Sequence, residues 1–454
     1  ARVCDRVAVM YAGEVVEEGP VADIYVRPLH PYTINLLNCV PILERPAARA
    51  DEGGAPPPEA ASRTRRLATI PGSLPKLGLL PPGCVFAPRC PLAVDECETE
   101  PTEYAVVEDG RRTACRRWRE LLTDEGRAAA LHGEEVRAPD EAPATAAARR
   151  EDAARRQAGP AKKPPEPAGE PLLWVQEATK RFDTGRGRPG TKAVDGVTLS
   201  VDPVRTYGLV GESGSGKTTL ARIVAGLTPA GEGRLLLDGR GLEPDAASRS
   251  RSALRRMQMV FQSPEASLNP RRTVAEALER PLRVLAGLDR RAARTRALAL
   301  LDAVRLPASY LNRYPGELSG GEKQRVAIAR AFAAGPDLVI CDEPLSSLDA
   351  SVQGALMNLL VDLQDQEGTS YLFISHDLAA VQHLSHFIGV MYLGRIVEQG
   401  RTDKVLAPPY HPYTEALVSA VPVPDPSACA HRVPLRTDVG GGSPVLSGCR
   451  FHAR

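Results

Sequence analysis

Eight residues, Gly211-Glu-Ser-Gly-Ser-Gly-Lys-Thr218, have the spacing of a loop that wraps phosphate. Gly211, Gly214 and Gly216 let the backbone curl so that successive N–H groups, with Ser213 and Ser215 among them, face one anion. Lys217, Thr218 and Thr219 open the next helix, whose positive end adds to the attraction. Lys217 would reach the β- and γ-phosphates of a nucleotide, and the hydroxyl of Thr218 would ligate Mg²⁺. Tyr207-Gly-Leu-Val210 before the loop reads as a buried strand, and Thr218–Leu227 after it as a helix. That context separates the loop from an ordinary glycine-rich turn.

Two further stretches complete a hydrolytic chemistry. Leu338-Val-Ile-Cys-Asp-Glu343 is an apolar strand that delivers two acids to its C-terminal edge, where α/β sheets bind ligands. Asp342 suits Mg²⁺, and Glu343 suits polarising the attacking water. Alone, such a pair is more often a solvated strand end. In Leu318-Ser-Gly-Gly-Glu-Lys-Gln324, Ser319 and the amides of Gly320 and Gly321 open a helix that runs through Arg325–Phe332. This is a second anion site in a domain that already has one, which makes sense if each serves a different nucleotide.

The elements that must position these groups alternate. Leu172–Val175, Val194–Val201 and Tyr371–Ile374 read as strands among helical stretches, implying a mainly parallel α/β sheet. The 454 residues carry 57 basic and 56 acidic side chains, so no global field draws in nucleic acid or an anionic membrane. No run of 18 apolar residues marks a transmembrane helix. Four blocks recur at one offset of 381 residues: Val7–Gly13 with Ile388–Gly394, Val16–Gly19 with Val397–Gly400, His30–Thr33 with His411–Thr414, and Val40-Pro41 with Val421-Pro422. The two segments therefore end equivalent domains, and the first is expected to have lost what precedes residue 1. The expected organisation is the end of a first domain at 1–45, a linker at 46–66 and a Cys-rich extension at 67–118. A flexible linker at 119–170, a complete domain at 171–425 and a second, truncated Cys-containing extension at 426–454 follow.

Together these motifs resemble the ABC ATPase family, over about residues 172–425 and again in the repeat at 1–45. The resemblance implies a P-loop NTPase fold with a mainly parallel sheet, an antiparallel β subdomain and a helical signature subdomain. It implies two nucleotide-binding domains that sandwich two ATPs, the phosphate loop of one facing the signature of the other. Ser319, Gly320, Gly321 and Gln324 would then serve ATP held by the partner domain. Gln262, in Met259-Val-Phe-Gln-Ser263, matches the residue that senses Mg²⁺ and contacts the membrane subunit. Asp349 of Ser347-Leu-Asp349 matches the D-loop, and His376 the switch histidine at the γ-phosphate. Phe182 stands where an adenine-stacking aromatic is expected, with ordinary packing as the alternative.

Within the family the likeness is to dipeptide and oligopeptide importer ATPases. It is carried by Phe261–Pro270, Arg313–Leu318 and His411-Pro-Tyr-Thr414. Two positions depart from that pattern: Glu322 replaces the usual Gln, and Gly316 stands where His is frequent. Cys84, Cys90, Cys97 and Cys115 follow C-x5-C-x6-C-x17-C. In a chain that works on cytosolic ATP, thiols stay reduced, so the cluster reads as a metal site. Four thiolates suit an Fe–S cluster or tetrahedral zinc. The uneven spacing disfavours zinc, and the resemblance implies a [4Fe–4S] cluster, with free thiols the remaining alternative. Gly448-Cys449-Arg-Phe451 parallels Gly83-Cys84-Val-Phe86.

The expected function is an ATP-hydrolysing subunit at the cytoplasmic face of the cell membrane that energises peptide import. Its expected partners are two integral-membrane permease subunits, an extracytoplasmic binding protein and the missing first half of the same chain, with no nucleic acid. A soluble twin-cassette protein acting on ribosomes is the competing reading. Such proteins carry a charged helical arm between cassettes, and here seven prolines between Pro139 and Pro171 break the segment.

Overall fold

The computed structural model describes residues 4–43, 66–70, 80–107, 110–131, 169–182, 191–346, 348–421 and 451. They fall into two compact units. One holds Ala1–Val40 and Ala68–Ala168, and the other holds Pro41–Leu67 and Gly169–Val423 with the C-terminal residues.

The first unit is built on a hairpin of β1 (Arg6–Tyr11) and β2 (Glu14–Pro20), turned by Ala12 and Gly13, both at positive φ. β3 (Ala105–Val107) and β4 (Arg111–Thr113) complete a sheet in the order β1-β2-β4-β3. The domain end at 1–45 and the Cys-rich extension thus share one sheet, through Glu17 opposite Thr113. The linker expected from residue 119 is corrected here. The helix Asp124–Leu131 packs on the helix Pro31–Cys39, with Leu121 and Ala130 buried and Asn35 donating to the Ala130 carbonyl at 3.0 Å. Two buried positions in so short a stretch leave little periodicity to read. The remaining expected linker residues, 132–168, and the expected linker at 46–65 lie outside the described residues.

The second unit carries two sheets. β5 (Leu173–Phe182), β6 (Thr191–Val201), β8 (Glu232–Leu237) and β9 (Arg240–Gly241) form the antiparallel one, ordered β6-β5-β8-β9. The larger sheet uses β7 (Thr206–Val210), β10 (Met257–Val260), β11 (Leu338–Asp342), β12 (Ser370–Ile374), β13 (Phe387–Tyr392) and β14 (Arg395–Arg401). Its order is β10-β11-β12-β7-β13-β14, parallel except for the last pair. β7, β11 and β12 are buried at every position, as strands covered on both faces must be. The phosphate-loop strand sits between β12 and β13, so the first crossover leaves β7 and returns elsewhere in the sheet, the arrangement that opens a ligand crevice at the strand C-termini.

The sequence repeat is a structural repeat. β1 pairs with β2 as β13 pairs with β14, down to a register shift at Val9/Met10 in one and Val390/Met391 in the other. His30 and His411 each cap the following helix, Nδ1 accepting from the amide of Tyr32 at 3.1 Å and of Tyr413 at 3.2 Å. Phe86 meets Tyr11 edge-on at 5.2 Å, and Phe451 meets Tyr392 edge-on at 5.5 Å. The copies differ at their edges. β13 is flanked by β7, whereas β1 ends its sheet. Met391 is fully buried and its counterpart Met10 is 58% exposed.

Candidate functional site

The loop after β7 bends where its glycines allow. Gly214 and Gly216 have φ of 80° and 107°, and a Cβ at Gly211 or Gly216 would fall 2.2 Å from the Met391 carbonyl or 2.1 Å from that of Ala193. Ser213 and Gly214 are exposed at its tip, while Ser215 is buried. Gly216 opens the helix Lys217–Ala225. Lys217 Nζ donates to the carbonyls of Gly211 at 2.8 Å and Glu212 at 2.9 Å, so the ammonium is held within the loop. Burial lowers its pKa, and the nearby Glu343 and Asp342 pull it back up.

Thr218 Oγ1 donates to Asp342 Oδ1 at 3.1 Å, joining the first turn of that helix to the end of β11. Asp342 is 3% exposed, and burial raises its pKa against the Thr218 hydrogen bond. The Thr218 hydroxyl and the buried Asp342 carboxylate are hard oxygen donors that fit Mg²⁺. Thr219 is half-buried on the same turn.

Glu343, one residue beyond the strand, takes φ 45°, a conformation that side chains other than glycine rarely adopt. Its amide donates to the Ile374 carbonyl at 2.9 Å. Its Oε2 accepts from Gln262 Nε2 at 3.2 Å and lies 3.4 Å from His376 Nδ1. The ends of β10, β11 and β12 therefore meet at one carboxylate. The structure brings together Lys217, Thr218, Gln262, Asp342, Glu343 and His376.

Ser319 caps the helix Gly320–Phe332 in a reciprocal box. Its amide donates to Glu322 Oε2 at 2.8 Å, and Glu322's amide donates to Ser319 Oγ at 3.4 Å. Tyr310 donates to the other carboxylate oxygen at 2.6 Å, which explains how Glu322 is accommodated. Burial pushes this carboxyl up, but the Tyr310 and Ser319 hydrogen bonds outweigh it and hold the pKa low. Gly321 is needed for close packing, since a Cβ would stand 2.9 Å from Val352. Gln324 is a correction: at 2% exposed it packs inward, one turn along the helix from Gly320 and Gly321, and does not present to an outside nucleotide.

Asp349 caps the helix Ala350–Glu367, accepting from the Val352 amide at 3.0 Å, while Ser347 lies outside the described residues. Phe182 ends β5 at 47% exposure with Lys180 Nζ 5.5 Å from its ring centre. The exposed ring face is consistent with stacking.

In the first unit Cys84, Cys90, Cys97 and Cys115 line one pocket with His30. None of the four is in a disulfide. Gly83 lets the chain pass close, for a Cβ there would fall 2.2 Å from the Cys97 carbonyl. His30 Nε2 is 3.9 Å from Cys84 Sγ. Burial pushes Cys90 and Cys115 up to about 12 as free thiols. Among the described residues, no three Cys, His, Asp or Glu side chains are arranged to hold a single metal ion.

Sequence reasoning missed one contact at the loop. The Glu212 amide donates to the Tyr413 hydroxyl at 2.9 Å. The repeated His-Pro-Tyr marks this tyrosine as special without indicating its partner.

Residues 194–346 match the ABC transporter family model. Residues 16–63, 55–97 and 397–454 match the model of the oligopeptide/dipeptide transporter C-terminal region, so both copies carry it. The chain is 40% identical over 434 residues to the oligopeptide transport ATP-binding protein OppD of Mycobacterium tuberculosis, covering 94% of this chain and 64% of that protein. It thus spans under two thirds of the length of that relative. It is 45% identical over 288 residues to a probable peptide ABC transporter ATP-binding protein of Sinorhizobium fredii, covering 62% of this chain and 82% of that one. A putative peptide import ATP-binding protein of Brucella abortus is 43% identical over 294 residues, covering 63% and 86%.

Proposed function

The chain belongs to the ATP-binding proteins of peptide ABC transporters, and on that premise we propose that it hydrolyses ATP to energise the import of di- or oligopeptides through separate membrane permease subunits. The observation that carries the chemistry is the Glu343 carboxylate, met by Gln262 at 3.2 Å and His376 at 3.4 Å beside the phosphate loop. Lys217 exchanges its two loop carbonyls for β- and γ-phosphate oxygens. Thr218 and Asp342, with Gln262 nearby, would hold Mg²⁺, whose charge would offset that of the phosphates. Glu343 orients a water toward the γ-phosphorus and takes its proton as the bond to the leaving ADP oxygen breaks. His376 holds the water and the γ-phosphate in register.

Ser319 and the amides of Gly320 and Gly321 serve a second nucleotide held by another cassette. That cassette is the domain to which residues 1–45 belong, a reading supported by the matched hairpin registers. Gln262 and the residues after it face the permease. The protein works as a peripheral subunit at the cytoplasmic face of the membrane, with an extracytoplasmic binding protein supplying peptide. No helix among the described residues is long and apolar enough to cross a membrane.

The four cysteines hold a [4Fe–4S] cluster of structural role. Their convergence on one pocket supports a shared ligand site for four thiolates.

The test of function is co-purification of the full-length protein from its own membranes. Permease subunits in stoichiometric yield are the expected result, and ribosomal proteins in their place would overturn it.

A further inference from the structure

The C-terminal copy of the repeat, from β13 to the His411-Pro-Tyr segment, lies against the back of the phosphate loop. Three contacts make that wall. The Met391 carbonyl closes on Gly211, so that no Cβ fits there. The Gly394 amide donates to the Ser215 carbonyl at 2.8 Å. The third is the Tyr413 hydroxyl, which accepts the Glu212 amide at 2.9 Å. The Gly211 carbonyl of the same peptide unit is in turn bonded by Lys217 at 2.8 Å. This peptide is therefore fixed at both ends, one by the lysine that meets phosphate and one by a side chain 201 positions away.

Tyr413 is itself immobilised. It is fully buried, and its ring stands 4.6 Å from that of Tyr392 and 5.5 Å from that of Phe451. Phe451 also meets Tyr392 edge-on. It comes from the Cys449-bearing segment, beyond the end of the cassette. The same ring triad recurs in the first unit as Tyr11, Tyr32 and Phe86.

We propose that Tyr413 is a positioning residue for ATP binding: its hydroxyl sets the curvature of the phosphate loop, and Phe451 locks its ring, so the C-terminal segment adjusts nucleotide affinity. This rests on the reading of residues 211–218 as the ATP loop. The Glu212 amide, once held by Tyr413, cannot swing into the anion path, and the later amides of the loop stay aimed at phosphate. A hydroxyl of this kind acts on affinity without touching the nucleotide.

The experiment is equilibrium titration of the whole chain with a fluorescent ATP analogue and Mg²⁺, normalised to folded protein. Tyr413→Phe keeps the ring and removes the hydroxyl. It should raise Kd about fivefold, the worth of one ordinary hydrogen bond. KM for ATP should rise by the same factor with kcat kept, and the melting temperature without nucleotide should fall by no more than a few degrees, since the same bond is lost from the nucleotide-free chain. Tyr32→Phe, the equivalent change in the other copy, should leave Kd alone. Phe451→Leu, which loosens the ring and keeps the hydroxyl, should raise Kd in the same direction and supplies the answer if Tyr413→Phe fails to fold. Wild-type affinity in Tyr413→Phe, or in Phe451→Leu, would overturn the inference while leaving the ATP reading intact. No binding by the parent chain would overturn both.

Discussion

Thr218 Oγ1 and Asp342 Oδ1 are 3.1 Å apart, a hydrogen bond between residues 124 positions apart in sequence. It ties the helix after the phosphate loop to the strand that carries the acids. It also holds Asp342 where burial raises its pKa. A carboxyl whose pKa is raised on folding favours its protonated form in the folded state. Its contribution to stability is complete below the unfolded value and is lost as pH rises through the folded one. Asp342→Asn should therefore raise the melting temperature of the nucleotide-free chain at pH 7. That gain should shrink as the pH is lowered toward the ordinary aspartate range. ATP hydrolysis should meanwhile fall to background. A scanning-fluorimetry series across pH checks the first part, and a variant less stable than the parent at pH 7 would refute it.

Glu343→Gln keeps the side-chain shape and removes the base. Positioned proton acceptors contribute about 10²–10⁴ in rate, so phosphate release should drop by at least about a hundredfold. ATP should still bind and remain unhydrolysed on the protein. Quench-and-separate analysis of bound nucleotide distinguishes ATP from ADP. Parental turnover in this variant would remove Glu343 from its assigned role.

Ser319 closes the signature helix with Glu322. Ser319→Ala should cost about 1 kcal/mol of stability, as loss of a serine cap commonly does. Glu322→Gln should cost less, because the single amide oxygen of Gln can still accept the Ser319 amide while its NH2 donates to the Tyr310 hydroxyl oxygen. Chemical denaturation orders the two variants. The opposite order would show that the Tyr310–Glu322 bond, and not the cap, dominates that helix end.

Cys84→Ser should abolish visible absorbance, iron and acid-labile sulfide in protein purified without oxygen. Gly83→Ala should do so too while leaving all four thiols in place, because its Cβ would collide with the Cys97 carbonyl. Elemental analysis is the readout. Iron retained in full by both variants would exclude ligation in this pocket.

Much of the ATP-binding half was legible in the sequence because its residues sit in short, contiguous motifs. Gly211–Thr218, Asp342-Glu343 and Ser319–Gly321 announce both their chemistry and the strand or helix that carries them. Gln324 shows the limit, since motif membership says nothing of how deeply tertiary packing buries a side chain. The Tyr413–Glu212 bond was hidden for a different reason: it joins two motifs distant in sequence, and only the return of β13 beside β7 brings them together. Likewise the helix Asp124–Leu131 owes its stability to the burial of Leu121 and Ala130 against a remote helix, a tertiary effect that local composition does not carry.

The contrast between Met10 and Met391 has a practical use. Methionine sulfur oxidises where reagent can reach it, so mild peroxide should convert Met10 to its sulfoxide and spare Met391. Because Met10 lies on a strand at the margin of its sheet, its oxidation rate becomes an internal gauge of whether another strand has docked there. Mass spectrometry of two peptides from the same digest would then follow strand docking on the first unit, with the second unit as its built-in standard.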